Sequence, residues 1–162
     1  MTVEIVEVNE NPGDARLLFR EYEKELAVDL CFQSFEEELA NLPGKYARPD
    51  GCLWVARVDG ELAGCVAVRL MEPGVAELKR LYVRPGFRST GLGRRLAVRA
   101  EEFAREAGYQ WLKLDTLTRL VPALKLYESL GYTEWKPVPG DGAVATAPSD
   151  LEIVYFEKRL QS

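Results

Sequence analysis

The spacing of apolar residues along the chain predicts alternating strands and helices. Alternation of apolar and polar residues indicates strands, and apolar residues at every third or fourth position indicate amphipathic helices. The first half fits a strand at 3–8, helices that begin near 14 and 34, and strands at 52–58, 61–70 and 75–83. The second half fits a helix at 91–107, a strand at 111–117, a helix from 122, and strands at 132–135 and 151–160. This order predicts one mixed sheet with helices on both faces, in a single α/β (α+β) domain that spans residues 1–162.

The turn at Asp59-Gly60 predicts how the two strands beside it pair. An Asp-Gly dipeptide between two apolar runs is typical of a two-residue hairpin turn, because glycine tolerates the positive φ of a tight turn. Such a turn would pair Val58 with Glu61 and Trp54 with Cys65.

The composition is that of an ordinary globular domain. The 162 residues, 47% hydrophobic and 29% charged, suit one compact unit with its own core. No stretch approaches the roughly 18 uninterrupted apolar residues of a membrane span. The start, MTVEIVEVNE, lacks the basic and apolar blocks of a signal peptide. We therefore expect a cytoplasmic protein that does not bind a membrane.

The chain contains no histidine, which narrows its chemistry. Ser-His-Asp and Cys-His catalysis need an imidazole base, and the usual zinc sites need histidine or paired cysteines. The three cysteines, Cys31, Cys52 and Cys65, form no CxxC pair and fit buried or half-buried thiols. We expect no metal, with acid–base chemistry from carboxylates, tyrosine, lysine, cysteine or water.

The charge distribution indicates a small anionic ligand. A net charge of −5, from 21 basic and 26 acidic residues, argues against nucleic-acid binding, which depends on neutralising phosphates. The basic residues nevertheless concentrate in one central segment: Lys79, Arg80, Arg84, Arg88, Arg94, Arg95 and Arg99. A local excess of this kind in an acidic chain favours a small anion over a polyanion.

The segment RSTGLG, residues 88–93, lies between a predicted strand and a predicted helix. A helix start leaves backbone N–H groups without partners and carries partial positive charge, and glycine there lets a phosphate approach closely. The segment therefore predicts an anion cradle. A dinucleotide fingerprint would need Gly or Ala in place of Leu96, and a nucleotide P-loop would end in Gly-Lys-Ser/Thr, so neither fits.

Two motifs in register resemble the GNAT superfamily of acyl-CoA-dependent N-acetyltransferases. Residues 81–93 (LYVRPGFRSTGLG) are similar to its acyl-CoA signature, a strand and short loop followed by R/Q-x-x-G-x-G/A at a helix start. Residues 126–132 (LYESLGY) are similar to its later L-Y-x-x-x-G-[FY] helix. The element order also agrees, so the resemblance covers nearly the whole chain. It implies a single GNAT-like domain whose mixed, mostly antiparallel sheet contains a splayed pair of parallel strands.

The resemblance implies acetyl-CoA as cosubstrate and assigns its contacts. Backbone groups of Leu81, Tyr82 and Val83 would bind the pantetheine arm in the manner of an added strand, beside a slot for the thioester. Backbone amides would wrap the pyrophosphate, namely those of Arg88, Ser89, Thr90, Gly91, Leu92 and Gly93. Many members carry an asparagine near the start of the later helix, where this chain has Leu120-Val121-Pro122, so contacts in that loop are not carried over.

Tyr127 matches the tyrosine that, in the superfamily, is thought to protonate the departing CoA thiolate. The residues alone favour a core aromatic on a stripe with Leu124 and Leu130. The motif in register favours the donor role.

Glu77 is the base that the resemblance implies, because some members place a glutamate at this point of the strand. An acceptor ammonium must lose a proton before it attacks a thioester, and no histidine is available. Strand alternation would put Glu77 on the face of Leu81 and Val83. A surface glutamate paired with Lys79 or Arg80, or a water chain acting as base, are the alternatives.

The expected function is transfer of an acetyl group from acetyl-CoA to the amine of a small-molecule acceptor by direct attack. The alternatives are a non-catalytic acyl-CoA-binding module and a protein N-acetyltransferase. The acceptor would lie between the first two helices and the final loop, lined by Phe32, Phe35 and Tyr46 and by the acids Glu36, Glu37 and Asp50. Acetyl-CoA and this amine are the expected partners, and a homodimer is compatible with the resemblance.

Overall fold

The computed structural model describes residues 1–27, 34–137 and 152–161. Its elements are β1 (Val3–Glu7), α1 (Gly13–Leu26), α2 (Phe35–Ala40), β2 (Cys52–Val58), β3 (Glu61–Glu72), β4 (Val75–Val83), α3 (Leu92–Glu106), β5 (Trp111–Leu117), α4 (Val121–Ser129), β6 (Thr133–Trp135) and β7 (Ile153–Arg159). Their order is the one that the sequence predicts. Over these residues, no helix has both the length and the apolar composition needed to cross a membrane.

The strands form one seven-stranded sheet in the order β1-β2-β3-β4-β5-β7-β6. Only β4 and β5 pair in parallel, and the other described neighbours are antiparallel. On one face, α3 and α4 pack against the sheet through residues such as Leu96 and Tyr127. On the other face, α1 and α2 build a second core around Phe19 and Phe35. The predicted mixed sheet with helices on both faces is therefore confirmed.

The parallel pairing of β4 with β5 ends after three positions, of which the last joins Glu77 to Lys113. Beyond that pair, β4 remains bonded to β3, and β5 remains bonded to β7. The two strands therefore diverge, as the resemblance implies. We call the space between residues 78–83 of β4 and 114–117 of β5 the β4–β5 gap.

The β2–β3 hairpin is confirmed, but its predicted register is wrong beyond the turn. Val58 pairs with Glu61, as a two-residue turn requires. A bulge after Ala56 then shifts the register, so that Trp54 pairs with Val66 rather than with Cys65. Cys52 and Cys65 are buried, unpaired and in different cores, whereas Cys31 lies outside the described residues.

A second bulge lies in β4 at Arg80, which adopts a φ of +59°. The register with β3 jumps there, from Lys79 opposite Ala67 to Tyr82 opposite Cys65. One extra residue in a strand shifts the alternation of side chains by one position. The face to which odd-numbered side chains of β4 point before Arg80 is therefore the face to which even-numbered side chains point after it.

This bulge makes the predicted facing of Glu77 wrong. Strict alternation would place Glu77 with Leu81 and Val83, but those two residues pack against the core beneath α3. Ala76 and Leu78, the neighbours of Glu77, belong to that same core. Glu77 therefore points to the opposite face, toward the side covered by α1 and α2.

Candidate active site

The loop that was predicted to cradle an anion leads directly from β4 into α3. Thr90 Oγ donates to the carbonyl of Phe87 at 2.6 Å, and Ser89 and Gly91 have left-handed φ values of +64° and +86°. These turns place Gly91 as the cap of α3, whose first helical residue is Leu92. The first-turn N–H groups of a helix have no acceptor within it, so they point outward at the end of this loop.

Gly91 combines a backbone constraint with open space. Its φ of +86° is one that side chains other than glycine rarely adopt, and a Cβ added there would meet no atom within 4 Å. The described residues thus leave open the space that a side chain at Gly91 would take, at the start of α3. This is the geometry of an anion site at a helix N-terminus.

The arginine side chains around the cradle have defined partners. Arg88 donates to Glu25 at 2.6 Å and, through Nε, to the carbonyl of Val83 at 2.9 Å. Arg84 pairs with Glu21 at 2.7 Å, so two carboxylates of α1 hold the segment that runs from Arg84 to Arg88. The Arg88 guanidinium is engaged, and the backbone N–H of Arg88, its predicted cofactor contact, donates to the carbonyl of Pro85 at 3.4 Å.

The outer edge of β4 faces the β4–β5 gap at Leu81, Tyr82 and Val83. Their pairing with β3 leaves the other edge without a neighbouring strand, because β5 has already diverged. Tyr82 is fixed by its hydroxyl, which donates to Glu21 at 3.3 Å. An extended amide chain in the gap can therefore bond to this edge as another strand would.

Tyr127 lies in α4 on the α3 side of the sheet, and its side chain is buried. Its ring centroid is 5.6 Å from that of Tyr132 and 6.1 Å from that of Phe156. Burial raises the pKa of Tyr127 well above its usual range, and Tyr22, Tyr132 and Asp115 add to the effect. Tyr127 is thus both a packed aromatic and a phenol that keeps its proton at neutral pH.

Tyr22 and Asp115 approach the same gap and were not among the predicted site residues. Tyr22 comes from α1, on the face opposite Tyr127, and burial raises its pKa to about 12. Asp115 lies in β5, beyond the last pair with β4. Burial raises the pKa of Asp115 above its usual range, Lys79 opposes that shift, and Glu77 adds to it. The sequence held one signal for Asp115, since it is a carboxylate on a strand that flanks the slot implied for the thioester.

Glu77 is buried and ion-paired. Arg69 donates to its Oε1 at 2.7 Å, and the Lys79 ammonium lies 3.9 Å from the same atom. The structure therefore bears out the pairing with Lys79 that one alternative gave, but the surface position in that alternative is wrong, because Glu77 is buried, and Arg80 pairs elsewhere. The buried guanidinium of Arg80 donates two hydrogen bonds to the carboxylate of Glu38, both of 3.0 Å. The ammonium of Lys45 lies 3.1 Å from the same carboxylate.

The face that carries Glu77 and Asp115 continues across β5, β7 and β6. Lys113 lies 3.5 Å from Glu157 and 3.7 Å from the centroid of the Trp135 ring. Tyr155 belongs to the same face. Burial has the largest effect in raising its pKa, and the charges of Asp115 and Glu77 raise the pKa further. We call this surface, formed by the side chains of Arg69, Glu77, Lys79, Lys113, Asp115, Trp135 and Tyr155, the acceptor face.

Other predicted lining residues are distributed differently. Phe35 and Tyr46 are core residues beneath α1 and α2, and Glu36 is an exposed partner of Arg20. Phe32 and residues 138–150 of the final loop lie outside the described residues. Within the described ranges, no group of three or more Cys, Asp or Glu side chains is arranged to hold a metal.

Comparison with known proteins agrees with this geometry. The model of the acetyltransferase (GNAT) family matches residues 16–132. An uncharacterized N-acetyltransferase of Schizosaccharomyces pombe is 40% identical over 139 residues, 85% of each chain. The N-acetylaspartate synthetase of Homo sapiens is 39% identical over 131 residues, which are 76% of this chain and 43% of the human enzyme.

A solved structure shares the fold over nearly its whole length. The PaiA N-acetyltransferase of Thermoplasma acidophilum, crystallised in complex with coenzyme A, superimposes with a TM-score of 0.73. The match covers 98% of this chain and 99% of that one at 19% identity, so it shows the fold alone. The family match spans most of the chain, including the cradle and Tyr127. The chain therefore belongs to the acetyltransferase (GNAT) family and is an N-acetyltransferase.

Proposed function

We propose that this enzyme transfers the acetyl group of acetyl-CoA to the amine of a small acceptor by direct attack in the β4–β5 gap. The observation that carries the proposal is the unpaired edge of β4 along this gap, where β5 has diverged. In the chain this edge leads to the helix start at Gly91, and the charge of Asp115, on the other strand of the gap, acts on the pKa of Tyr127. The membership of the chain in the acetyltransferase (GNAT) family supports acetyl-CoA as the cosubstrate, and the Thermoplasma structure of the same fold was crystallised with coenzyme A.

The residues divide the reaction between them. The amides of residues 88–93 bind the pyrophosphate, and the free edge at Leu81–Val83 binds the pantetheine arm. The amine nitrogen attacks the thioester carbon, the carbon–sulfur bond breaks, and Tyr127 gives its proton to the sulfur. A carboxylate of the acceptor face takes the ammonium proton: Glu77 is the sequence-based prediction, and Asp115 is a second carboxylate on that face.

The acceptor that this face suits best is an amino acid with an additional carboxylate. An ammonium group can approach Glu77 and Asp115, while Arg69, Lys79 and Lys113 present positive charge beside them. The human relative is named for the synthesis of N-acetylaspartate, which is the acetylated form of L-aspartate, an acceptor of this class. Mixed charge of this kind suits a zwitterion better than a polyamine, which would meet the three cations.

A turnover screen tests the proposal. Release of CoA thiol from acetyl-CoA should be fastest with L-aspartate and related amino acids, and slower with polyamines, aminoglycosides and peptides. Release with peptides alone would instead indicate a protein N-acetyltransferase. Binding of acetyl-CoA without release for any amine would indicate the non-catalytic acyl-CoA-binding module.

Gly91→Glu should weaken binding of acetyl-CoA and CoA at least tenfold, or about 1.4 kcal/mol. The substitution puts a carboxylate at the open helix start that the pyrophosphate would occupy. Gly108→Glu is the matched control, because Gly108 also has a left-handed φ, +91°, and open space, but at the opposite end of α3. If calorimetry shows that Gly91→Glu and Gly108→Glu bind acetyl-CoA with equal affinity, the proposed cofactor site is wrong.

A further inference from the structure

We propose that Asp115 is the carboxylate that takes the proton from the acceptor's ammonium group, and that Glu77 is instead the ion-pair partner that positions Arg69. The inference rests on the proposed function, because it assigns a role within that reaction. It is carried by the position of Asp115 in the β4–β5 gap and by the different partners of the two carboxylates.

Asp115 lies where the two parallel strands have just separated. Glu77 and Lys113 form the last pair between β4 and β5, and Asp115 follows Lys113 by two positions. Leu112 and Leu114 belong to the core beneath α3, so alternation turns Asp115 to the acceptor face. Its carboxylate therefore borders the gap, whereas Glu77 lies at the paired end.

The two carboxylates differ in how their oxygens are used. Oε1 of Glu77 accepts a hydrogen bond from Arg69 at 2.7 Å and lies 3.9 Å from the ammonium of Lys79. Between residues 34 and 137 and in the other described ranges, no hydrogen bond or ion pair engages the carboxylate of Asp115. Asp115 thus has oxygens available to an ammonium donor, while Glu77 already serves a guanidinium.

Charged and titratable groups surround Asp115 from several elements. Lys79, Arg80 and Arg69 act on it from β4 and β3 to lower its pKa, and Glu77 acts to raise it. Tyr22 of α1, Tyr127 of α4 and Tyr155 of β7 also face it, since its charge raises the pKa of each. Burial is the largest influence and leaves the pKa of Asp115 above its usual range, which makes it a stronger base than a solvated aspartate.

Asp115 and Tyr127 lie close enough for the charge of Asp115 to raise the pKa of Tyr127. Asp115 takes one proton from the ammonium, and the freed nitrogen lone pair forms the bond to the thioester carbon. The carbon–sulfur electron pair leaves on sulfur, which receives the proton of Tyr127. The proton that the nitrogen loses as the amide forms restores Tyr127, and Asp115 returns its proton to water. The products are the acetylated amine, the CoA thiol and one released proton.

Asp115→Asn and Glu77→Gln separate the two roles. With L-aspartate as acceptor, Asp115→Asn should lower the single-turnover rate at neutral pH by roughly 10²–10⁴-fold. The rate should recover as the pH rises, because more of the amine is then already neutral. Glu77→Gln should keep the pH profile of the wild type and act mainly on the KM for aspartate.

Hydroxylamine is the control acceptor, because it is already neutral at neutral pH and needs no base. After subtraction of the spontaneous reaction of hydroxylamine with the thioester, Asp115→Asn should transfer acetyl to hydroxylamine at close to the wild-type rate. The reverse pattern, in which Glu77→Gln loses the neutral-pH rate and Asp115→Asn keeps it, would overturn the assignment in favour of Glu77. Wild-type profiles in both variants would overturn it in favour of water. A wild-type enzyme that acetylates neither amine would contradict the proposed function and this inference together.

Thermal unfolding distinguishes the loss of a base from the loss of the fold. The pKa of Asp115 is raised in the folded state, so the wild type loses stability as the pH rises from about 3.9, its unfolded value, through the folded value. Asparagine has no such dependence. Asp115→Asn should therefore unfold at a temperature no lower than the wild type at neutral pH, and a clearly lower one would make Asp115 a structural residue.

Discussion

Tyr127→Phe is expected to slow the acetyl-transfer step about ten- to a thousandfold, at the lower end of general-acid effects. A free thiol has a pKa of about 8.5, so CoA thiolate is a tolerable leaving group and protonation assists without being indispensable. In the β4–β5 gap, however, an unprotonated sulfur anion is costlier than in water, because few groups there solvate it. The buried phenol of Tyr127 holds its proton and can supply it at the sulfur.

The same substitution should leave the fold and the affinity for acetyl-CoA unchanged. The phenylalanine ring keeps the contacts of Tyr127 with Tyr132 and Phe156. Tyr132→Phe is the matched control, because its hydroxyl is buried and has no hydrogen-bond partner in the described part of the chain. Single-turnover transfer and acetyl-CoA affinity should be measured in both variants. A normal rate in Tyr127→Phe would make Tyr127 a core aromatic, and a joint loss of affinity and stability would make packing its main role.

Glu38→Gln should lower the free energy of unfolding by about 3–5 kcal/mol, the usual cost of breaking a buried ion pair. Glu38 and Arg80 are both buried, at 4% and 3% side-chain exposure, and are joined by two hydrogen bonds of 3.0 Å. The substitution leaves the guanidinium buried without its counter-charge. It also frees the bulged residue of β4 from α2, so the geometry of the gap should loosen as well.

Two comparisons make this result specific. Glu36→Gln on the same helix removes an exposed pair with Arg20 and should leave the free energy of unfolding unchanged within error. The double replacement Glu38→Leu with Arg80→Met should recover much of the loss, because it leaves no buried charge unpaired. Chemical denaturation of the four proteins checks both expectations, and equal stability of Glu38→Gln and the wild type would contradict the argument.

The effect of Glu38→Gln should also depend on pH. Burial raises the pKa of Glu38, but the hydrogen bonds and charge of Arg80, with the charge of Lys45, outweigh it and hold the pKa below its usual range. A carboxyl of this kind stabilises the fold above its unfolded pKa of about 4.3 and loses that contribution as the pH falls through the folded value. The difference between variant and wild type should therefore shrink below about pH 4.

Local patterns in the sequence determined the elements and the conformation of the loop at Gly91, for which we propose cofactor binding. Apolar periodicity, together with cap and turn residues, predicted the α-helices and strands in their correct order, because burial of one face requires the same spacing wherever the element packs. The hairpin turn followed from Asp59-Gly60, whose residues both adopt positive φ. The cradle at Gly91 was equally predictable, since a left-handed glycine before a helix is a short-range feature.

Only the tertiary structure decided which side chains meet on the acceptor face. The bulges at Ala56 and Arg80 shift register and facing, and a sequence period of two carries no sign of an inserted residue. The pairing of Glu77 with Arg69 depends on two strands in register, and the approach of Tyr22 and Tyr127 depends on helices from opposite faces. In the sequence, Asp115 was one polar residue in a predicted strand. In the structure, the divergence of β4 from β5 places it at the gap. Strand pairing fixes such contacts between residues far apart in the chain, and no local spacing encodes them.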